Sequence, residues 1–264
     1  MRLAVLSDIH GNLPALEAVV EDLTRSGANA VVNLGDIVSG PLWPAETADR
    51  LIELHWPTIA GNHERQLLQQ PLEQQGASDR HASERLSSVH RNWLAGLPGT
   101  RWLSADLYCC HGTPTSDLQY FLETVTPDFG DERDGVASPG ARPATPQEAL
   151  ERAGTIPASL ILCGHTHQAR VLRLADKRIV VNPGSVGLQA FDDEQPFKHY
   201  IEAGTPHARY ALIECDADSW KVQLRQVSYD HEAAAQQAEA NGRGDWADAL
   251  RTGRVGRLER DVVN

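Results

Sequence analysis

The chain has 264 residues, of which 41% are hydrophobic and 23% are charged, as in an ordinary soluble globular protein. These proportions exclude a fibrous, collagen-like or wholly disordered chain, and the length fits one large domain or two small ones. The 36 acidic residues outnumber the 24 Lys and Arg residues, and the resulting formal net charge of -12 disfavours broad binding to nucleic acid.

Membrane segments and disulfides are not expected. No apolar run approaches the ~20 residues that span a bilayer, and the N-terminus turns polar too early for a signal peptide. The four cysteines, Cys109, Cys110, Cys163 and Cys215, include an adjacent pair and no CxxC motif. This arrangement suits a disulfide framework poorly, so we expect reduced thiols in a cytoplasmic protein.

Predicted strands and helices alternate in the first part of the chain. Short apolar runs predict strands over residues 2–7, 30–34 and 57–60. Helical spacing of apolar residues predicts helices over 13–23 and from about Pro44. The alternation indicates an α/β fold with right-handed crossovers and a largely parallel sheet.

The remainder continues this pattern. One helix is predicted over 79–97, a hairpin over 101–110, a helix over 146–153, strands over 160–163, 170–174, 178–181, 208–215 and 219–228, and a helical tail over about 230–255. No repeat or linker interrupts the chain, so residues 1–264 are predicted to form a single domain.

The least regular stretch covers residues 114–145 and is rich in Pro, Gly and Asp. It is too long for an ordinary connection, so it is predicted to be an insertion that forms a surface loop or a lid. We expect this segment to be mobile and to shape the choice of substrate.

Five predicted strands each end in side chains that can bind a metal. These side chains are Asp8 and His10, Asp36, Asn62 and His63, His111, and His165 and His167. In open α/β sheets, ligands gather at the carboxyl ends of the strands. The crossovers should therefore bring these residues to one rim.

The donor atoms in this set are a mixture of oxygen and nitrogen. Seven residues, with His63 left aside, are too many for one tetrahedral ion and suit two ions that share a carboxylate, for which Asp36 is the natural bridge. No thiolate occupies a ligand position, so a zinc ribbon or an iron–sulfur cluster is not indicated. Two such ions are the usual apparatus for in-line displacement at phosphorus.

Five sequence blocks, in this order, resemble the motifs of the calcineurin-like metallophosphoesterases: Asp8-x-His10-Gly11-Asn12, Gly35-Asp36, Gly61-Asn62-His63-Glu64, His111-Gly112 and Gly164-His165-Thr166-His167. With Asn182-Pro183-Gly184-Ser185, the resemblance covers residues 8 to about 187 and is strongest to the compact bacterial subgroup. It implies a four-layer αββα sandwich with a dimetal centre at one sheet edge.

The resemblance also implies a role for each motif residue. Asp8, His10, Asp36 and His167 would hold the first metal, and Asp36, Asn62, His111 and His165 would hold the second. His63 would stay off the metals and protonate the leaving group, and with Asn62 it would contact the substrate. The two divalent ions are expected to be manganese, although the ligands also accept iron, zinc or nickel.

The expected reaction is hydrolysis of a small phosphate ester by a water activated between the two ions, with the Asp8-x-His10 pair typical of the family's diesterases. A protein phosphatase is less favoured, because Ile37 and Val38 follow Asp36 where those enzymes carry Asp-Arg-Gly. A nuclease is disfavoured by the acidic charge. A non-catalytic scaffold would be expected to lack ligands, and none is missing. Oligomeric state stays open.

Four further features keep two interpretations. The Asn182-Pro183-Gly184-Ser185 segment could be a structural turn or a catalytic element. Arg65 and Arg170 could bind phosphate, although salt bridges are the more usual role for such residues. Tyr120 could line the pocket or simply pack as an aromatic residue.

Overall fold

The computed structural model describes residues 1–133, 135–216 and 219–259, so Asp134 of the predicted insertion and the last five residues of the chain lie outside the described residues. Within these ranges the strands are β1 Arg2–Leu6, β2 Ala30–Asn33, β3 Thr100–Ser104, β4 Leu107–Cys110, β5 Glu123–Val125, β6 Glu132–Arg133, β7 Val136–Ala137, β8 Ala141–Pro143, β9 Leu160–Leu162, β10 Arg170–Arg173, β11 Ile179–Asn182, β12 Ala190–Asp193, β13 His199–Glu202, β14 Ala208–Asp216 and β15 Ser219–Val227. The α-helices are α1 Leu13–Ser26, α2 Pro44–Leu54, α3 Asn62–Gln69, α4 Ala77–Ser83, α5 Ser88–Ala95, α6 Pro146–Ala153, α7 His231–Ala240 and α8 Gly244–Thr252.

Two mixed sheets form the centre of the molecule. The first has the order β15-β14-β1-β2, and only β1 and β2 run parallel in it. The second has the order β10-β11-β9-β4-β3, in which β9 is parallel to both of its neighbours. The prediction of a largely parallel sheet is therefore wrong. Antiparallel hairpins supply one edge of the first sheet, β14–β15, and both edges of the second, β3–β4 and β10–β11.

Alternating side chains of the strands bury both faces of each sheet. In β1, Leu3 and Val5 pack in the core between the two sheets, whereas Ala4 and Leu6 pack in the core shared with α1. Ile161 of β9 points the other way, into a core with α6. The four-layer αββα sandwich is confirmed.

The helix predicted over 79–97 is two helices, α4 and α5. The Oγ atom of Ser87 accepts a hydrogen bond from the backbone amide of His90 at 3.3 Å, so a new helix is capped inside the predicted one. As a result Val89, which a continuous helix over 79–97 would place on the same apolar face as Ala82 and Leu86, is 64% exposed.

The third predicted strand, over 57–60, is reduced to a single bridge between Thr58 and Asn33. Helix α3, which the apolar pattern did not predict, begins immediately afterwards at Asn62. The predicted helical tail is confirmed as α7 and α8, which are separated at Gly242, where φ is +77°. No helix in the described part of the chain is both long and apolar enough to cross a bilayer.

Candidate metal centre

The candidate centre lies where loops leave the carboxyl ends of β1, β2, β4 and β9. Backbone bonds tie these loops together: the amide of His10 donates to the carbonyl of Asp36 at 3.0 Å, and the amide of Gly164 donates to the carbonyl of His111 at 2.7 Å. The Nδ1 atom of His111 lies 2.8 Å from the carbonyl oxygen of Leu34, across the two sheets. Neighbouring loops therefore hold one another in position.

Five of the predicted ligands have a left-handed backbone. Asp8, His10, Asp36, His165 and His167 have φ values of 57°, 52°, 53°, 68° and 56°. Residues other than glycine rarely adopt this conformation, and each instance costs of order 1–3 kcal/mol. The surrounding structure must therefore impose it, which is the pattern expected where side chains are turned toward a common point.

Glu64 imposes the conformation around Asp36. Its buried carboxylate accepts hydrogen bonds from the backbone amides of Asp36 at 2.9 Å, Ile37 at 2.8 Å and Gly61 at 2.8 Å. Gly61 lies so close to Asp36 that a Cβ atom on it would overlap the Asp36 carboxylate. The Glu and Gly of the Gly61-Asn62-His63-Glu64 block are thus structural.

The Asn182-Pro183-Gly184-Ser185 turn likewise holds the loops that follow β1 and β9. The Oγ atom of Ser185 donates to the carbonyl of Asp8 at 2.8 Å, and the Nδ2 atom of Asn182 donates to the carbonyl of Gly164 at 2.7 Å. These contacts support the interpretation of this segment as a structural turn.

Six of the seven predicted ligands form two compact groups. Asp8, His10 and His167 form one group, and Asp36, His111 and His165 form the other, with the ligand atoms of each group within 4.8 Å of one another. In the first group, the Nε2 atoms of His10 and His167 are 3.1 Å apart. The groups adjoin at His111, whose Nε2 atom lies 3.0 Å from Asp36 Oδ2 and 3.9 Å from Asp8 Oδ1.

Asn62 supplies the seventh candidate donor. Its Oδ1 atom is buried without a hydrogen-bond partner in the described residues, whereas its Nδ2 atom donates to Gln66 Oε1 at 3.3 Å. A buried carbonyl oxygen without a partner is costly, and a cation would remove that cost. This orphaned oxygen fits a metal ligand.

The protonation states of three of the four candidate histidine ligands also fit, whereas for His111 burial is outweighed by the carboxylates of Asp36 and Asp8, which raise its pKa to about 9. Burial lowers the pKa of His10 to about 4 and that of His165 to about 3, and it lowers the pKa of His167 well below its usual range. Neutral imidazoles are the form that binds metals. His10 Nδ1 lies 2.8 Å from the carbonyl oxygen of Ser39, to which it donates, so the lone pair is on Nε2.

The carboxylates of Asp8 and Asp36 are both buried, and the negative charge of each acts on the other. Burial, together with the charge of Asp36, raises the pKa of Asp8 to about 7. Burial also acts to raise the pKa of Asp36, but the imidazoles of His111 and His63 outweigh it and lower that pKa well below its usual range. Two buried carboxylates in one site need cationic partners, which divalent ions supply.

His63 stands apart from both ligand groups and remains 29% exposed in its side chain. Its Nδ1 atom lies 2.8 Å from Oδ1 of Asp79, at the start of α4. Burial acts to lower the pKa of His63, but the carboxylates of Asp36 and Asp79 outweigh it and raise the pKa to about 10 before any cation binds. His63 also lines the cavity, and its imidazole can donate a proton there.

The structure gives contacts for the residues whose roles the sequence left open. Arg65 pairs with Asp117 through two bonds of 2.6 and 2.9 Å, and Arg170 lies 3.2 Å from Glu123, so both form salt bridges. Tyr120 fits both interpretations: it lines the cavity and packs against His165 at 4.9 Å between ring centroids. Of the cysteines, the thiols of Cys109, Cys110 and Cys163 are buried and free, as expected.

The ligand groups open into a cavity of about 1080 Å³. Residues that the sequence motifs did not identify line this cavity, including Asp79, Gln66, Phe191 and Trp246. Asp79 follows His63 by 16 positions, and Phe191 and Trp246 belong to elements beyond the motifs. Only the three-dimensional fold brings them to the site.

Comparison with known proteins places this centre in a family. The model of the calcineurin-like phosphoesterases matches residues 1–169, more than half of the chain. The uncharacterized protein MJ0912 of Methanocaldococcus jannaschii is 26% identical over 252 residues, which are 92% of this chain and 94% of the relative. Phosphodiesterase YfcE of Escherichia coli strain K12 is 44% identical over 68 residues, but this match spans only 23% of this chain and 37% of YfcE.

Solved structures share the fold along nearly the whole chain. A metallophosphoesterase from Sphaerobacter thermophilus has a TM-score of 0.70 at 23% identity, covering 96% of this chain and 99% of its own. The hypothetical protein PH1004 from Pyrococcus horikoshii OT3 has a TM-score of 0.69 at 19% identity, covering 97% and 99%. Motifs, fold and family model agree: the chain belongs to the calcineurin-like phosphoesterase family and is a metal-dependent phosphoesterase.

Proposed function

We propose that this phosphoesterase hydrolyses small phosphodiesters with two divalent cations, for which manganese is the first candidate and iron, zinc and nickel are the alternatives. The observation that carries the proposal is the pair of adjoining ligand groups, Asp8, His10 and His167 beside Asp36, His111 and His165. The orphaned Oδ1 atom of Asn62 adds a donor to the second group. Asp36 would serve both ions.

When bound, two divalent cations neutralise phosphoryl oxygens and lower the pKa of water, so that a nucleophile is available near neutral pH. The chain's own residues would hold the cations and orient the substrate. Glu64 and the Ser185 turn fix the loops that carry Asp36 and Asp8, and so limit the reorganisation that the reaction would require.

His63 would act as the general acid. It follows the ligand Asn62 directly, its ring centroid lies 5.5 Å from that of His10, and its Nδ1 atom is held by Asp79. A protonated Nε2 atom could donate its proton to the departing oxygen, a contribution of about 10²–10⁴-fold for general acid catalysis. The leaving group would depart as an alcohol.

Charge in the cavity favours diesters over monoesters. A diester carries one negative charge, whereas a monoester carries up to two. Among the described residues that line the cavity, Arg152 is the only Lys or Arg, and its guanidinium donates to the carbonyl oxygens of Phe121 at 3.0 Å and Glu123 at 2.8 Å. No Lys or Arg side chain is therefore left to grip a second phosphate charge, and the acidic lining also disfavours long nucleic acid.

Two rival functions are less well supported. A protein phosphatase would use an arginine after the Asp36 block, but Ile37 and Val38 occupy these positions and are buried in the core. A scaffold would not need the complete ligand set or the Asp79–His63 pair. We also propose a reducing, cytoplasmic location, on the basis of the buried free thiols.

The test is a comparison of two chromogenic substrates. The metal-free protein is reconstituted with Mn²⁺ and assayed on bis-4-nitrophenyl phosphate and on 4-nitrophenyl phosphate. We expect metal-dependent turnover with a higher kcat/KM on the diester. A higher kcat/KM on the monoester would contradict the diesterase proposal, and metal-independent turnover would contradict the dimetal proposal.

A further inference from the structure

The wall of the cavity beside the metal ligands combines aromatic rings with carboxylates. Phe191 packs against His167 with 4.7 Å between ring centroids, and Tyr120 packs against His165 at 4.9 Å. One aromatic residue thus adjoins each ligand group. A substituent on a phosphate bound at the centre would lie within reach of this wall.

The aromatic wall is held rigidly. The hydroxyl of Tyr120 donates to the Nε2 atom of His199 at 2.9 Å, and the Nδ1 atom of His199 donates to the carbonyl of Phe197 at 2.8 Å. His199 itself is fully buried. The Tyr120 ring is therefore fixed in place without any ligand, as preorganised recognition requires.

A carboxylate accompanies the two rings. Phe191 and Asp193 alternate along β12, so their side chains lie on the same face of the strand. Asp193 pairs across the β12–β13 ladder with His199, the residue that holds Tyr120. Asp193 and Glu123 line the same cavity as Tyr120.

The charge of the cavity also suits a positively charged group. Acidic residues outnumber Lys and Arg seven to one among the described lining residues. Glu123, which lines this side, is 5% exposed and is paired with Arg170 at 3.2 Å, so the exposed Asp193 is the carboxylate that a ligand would meet. The wall thus offers negative charge and aromatic rings to whatever lies beside the phosphate.

Aromatic faces combined with carboxylates recognise ammonium groups, and quaternary ammonium most of all. We infer that the preferred substrate is a phosphodiester of an amino alcohol, whose ammonium group lies against Tyr120, Phe191 and Asp193. This inference rests on the proposed phosphodiesterase function and adds to it the charge of the organic group. A neutral aromatic group such as a nucleobase would use the rings but would give the carboxylate of Asp193 no cationic partner.

The test uses two esters that differ only in one charge. They are 4-nitrophenyl phosphorylcholine and 4-nitrophenyl 3,3-dimethylbutyl phosphate, in which a carbon replaces the ammonium nitrogen. In both, the oxygen of water forms the new bond to phosphorus and the bond to 4-nitrophenolate breaks. For the Mn²⁺-loaded protein we expect kcat/KM to be roughly tenfold higher on the choline ester, in line with a desolvated cation–π contact.

Variants of the wall residues test whether these residues cause the preference for the choline ester. Asp193→Asn and Phe191→Leu should each bring the ratio of the two kcat/KM values towards one. Asp106→Asn, an exposed carboxylate at the turn between β3 and β4, is the matched control and should keep the ratio of the parent protein. Thermal melting of each variant, with and without Mn²⁺, separates a local effect from loss of the fold.

The outcomes separate the inference from the proposed function. Equal kcat/KM on the two esters, or a ratio that Asp193→Asn leaves unchanged, would overturn the inference while the phosphodiesterase proposal stands. A higher kcat/KM on the 4-nitrophenyl ester of thymidine 5′-phosphate than on the choline ester would also overturn it, in favour of base stacking. No metal-dependent turnover of any of the three diesters would overturn the proposed function itself.

Discussion

The Nδ1 atom of His63 lies 2.8 Å from the Oδ1 atom of Asp79, which joins the residue after a candidate metal ligand to a carboxylate of helix α4. Asp79 is buried, whereas His63 keeps one side toward the cavity. This pair orients the imidazole and favours its charged form. It explains how His63 can lie beside the metal centre without being one of its ligands.

Asp79→Asn should weaken the proposed general acid without removing metals. The carboxylate of Asp79 helps to raise the pKa of His63, so its loss lowers that pKa. Because the protonated form is the donor, the fall in kcat at alkaline pH should begin at a lower pH than in the parent protein. We expect a loss of kcat of about 10–10²-fold on alkyl diesters, measured as a pH profile of the Mn²⁺-loaded enzyme.

The chain offers a matched control for this change. Asp49 Oδ1 lies 2.8 Å from His90 Nε2, in a pair of the same type outside the cavity. Asp49→Asn should leave the pH profile unchanged. A profile for Asp79→Asn that coincides with that of the parent protein would show that Asp79 does not act through His63.

His63→Ala should separate chemistry from metal binding. The variant is expected to keep both ions and nearly unchanged stability, since the ligand groups are complete without His63. Its kcat should fall by about two to four orders of magnitude on alkyl phosphodiesters, and much less on a nitrophenyl ester, whose leaving group hardly needs a proton. Equal losses on both would indicate that His63 positions the phosphate, and loss of metal would make it a ligand.

Gln66→Ala should weaken the second metal. Gln66 accepts the Nδ2–H bond of Asn62 and so keeps the Oδ1 atom of Asn62 turned to the centre. Outer residues that orient ligands typically contribute 10–100-fold to metal affinity, and we expect about tenfold here. Calorimetric titration with Mn²⁺ measures it, with Gln70→Ala in the same cavity as the control. Unchanged affinity for both ions would exclude this role.

Much of the centre could be predicted because its signals are local. Asp8, Asp36 and His111 each follow a short apolar run within one or two residues, and the carboxyl ends of parallel strands meet at one edge. The assignment of ligands to two ions came only from the family resemblance. Six of the seven residues fall into two groups in the structure, and the assignment stays a prediction.

The remaining features depend on long-range contacts. Asp79 and Gln66 carry no motif, and only the packing of α3 against α4 brings Asp79 to His63. The predicted helix over 79–97 failed because the pattern of apolar residues continued across a break that is capped by Ser87. The outer strands themselves were predicted, but the mixture of parallel and antiparallel pairs in each sheet was not, because hairpins and crossovers leave similar apolar runs in the sequence.

Asp36→Asn should cost the centre both ions, or leave one weakly bound. The neutral amide no longer offsets the charge of two cations. Residue 36, whose backbone is strained, also no longer offers a carboxylate to His111. Metal analysis after dialysis checks this. Asp22→Asn is the control: Asp22 accepts bonds from Tyr210 and Arg225 far from the cavity, so this variant should lose stability but keep two ions. Two tightly bound ions in Asp36→Asn would rule out the bridging role.

The most direct measurement is a titration of the metal-free protein with Mn²⁺, in which binding is followed by calorimetry and turnover of bis-4-nitrophenyl phosphate is measured on the same samples. The two adjoining ligand groups predict binding of two equivalents, with turnover that develops as the second equivalent binds. Saturation at one equivalent with full turnover, or turnover by the metal-free protein equal to that of the loaded one, would contradict the dimetal centre.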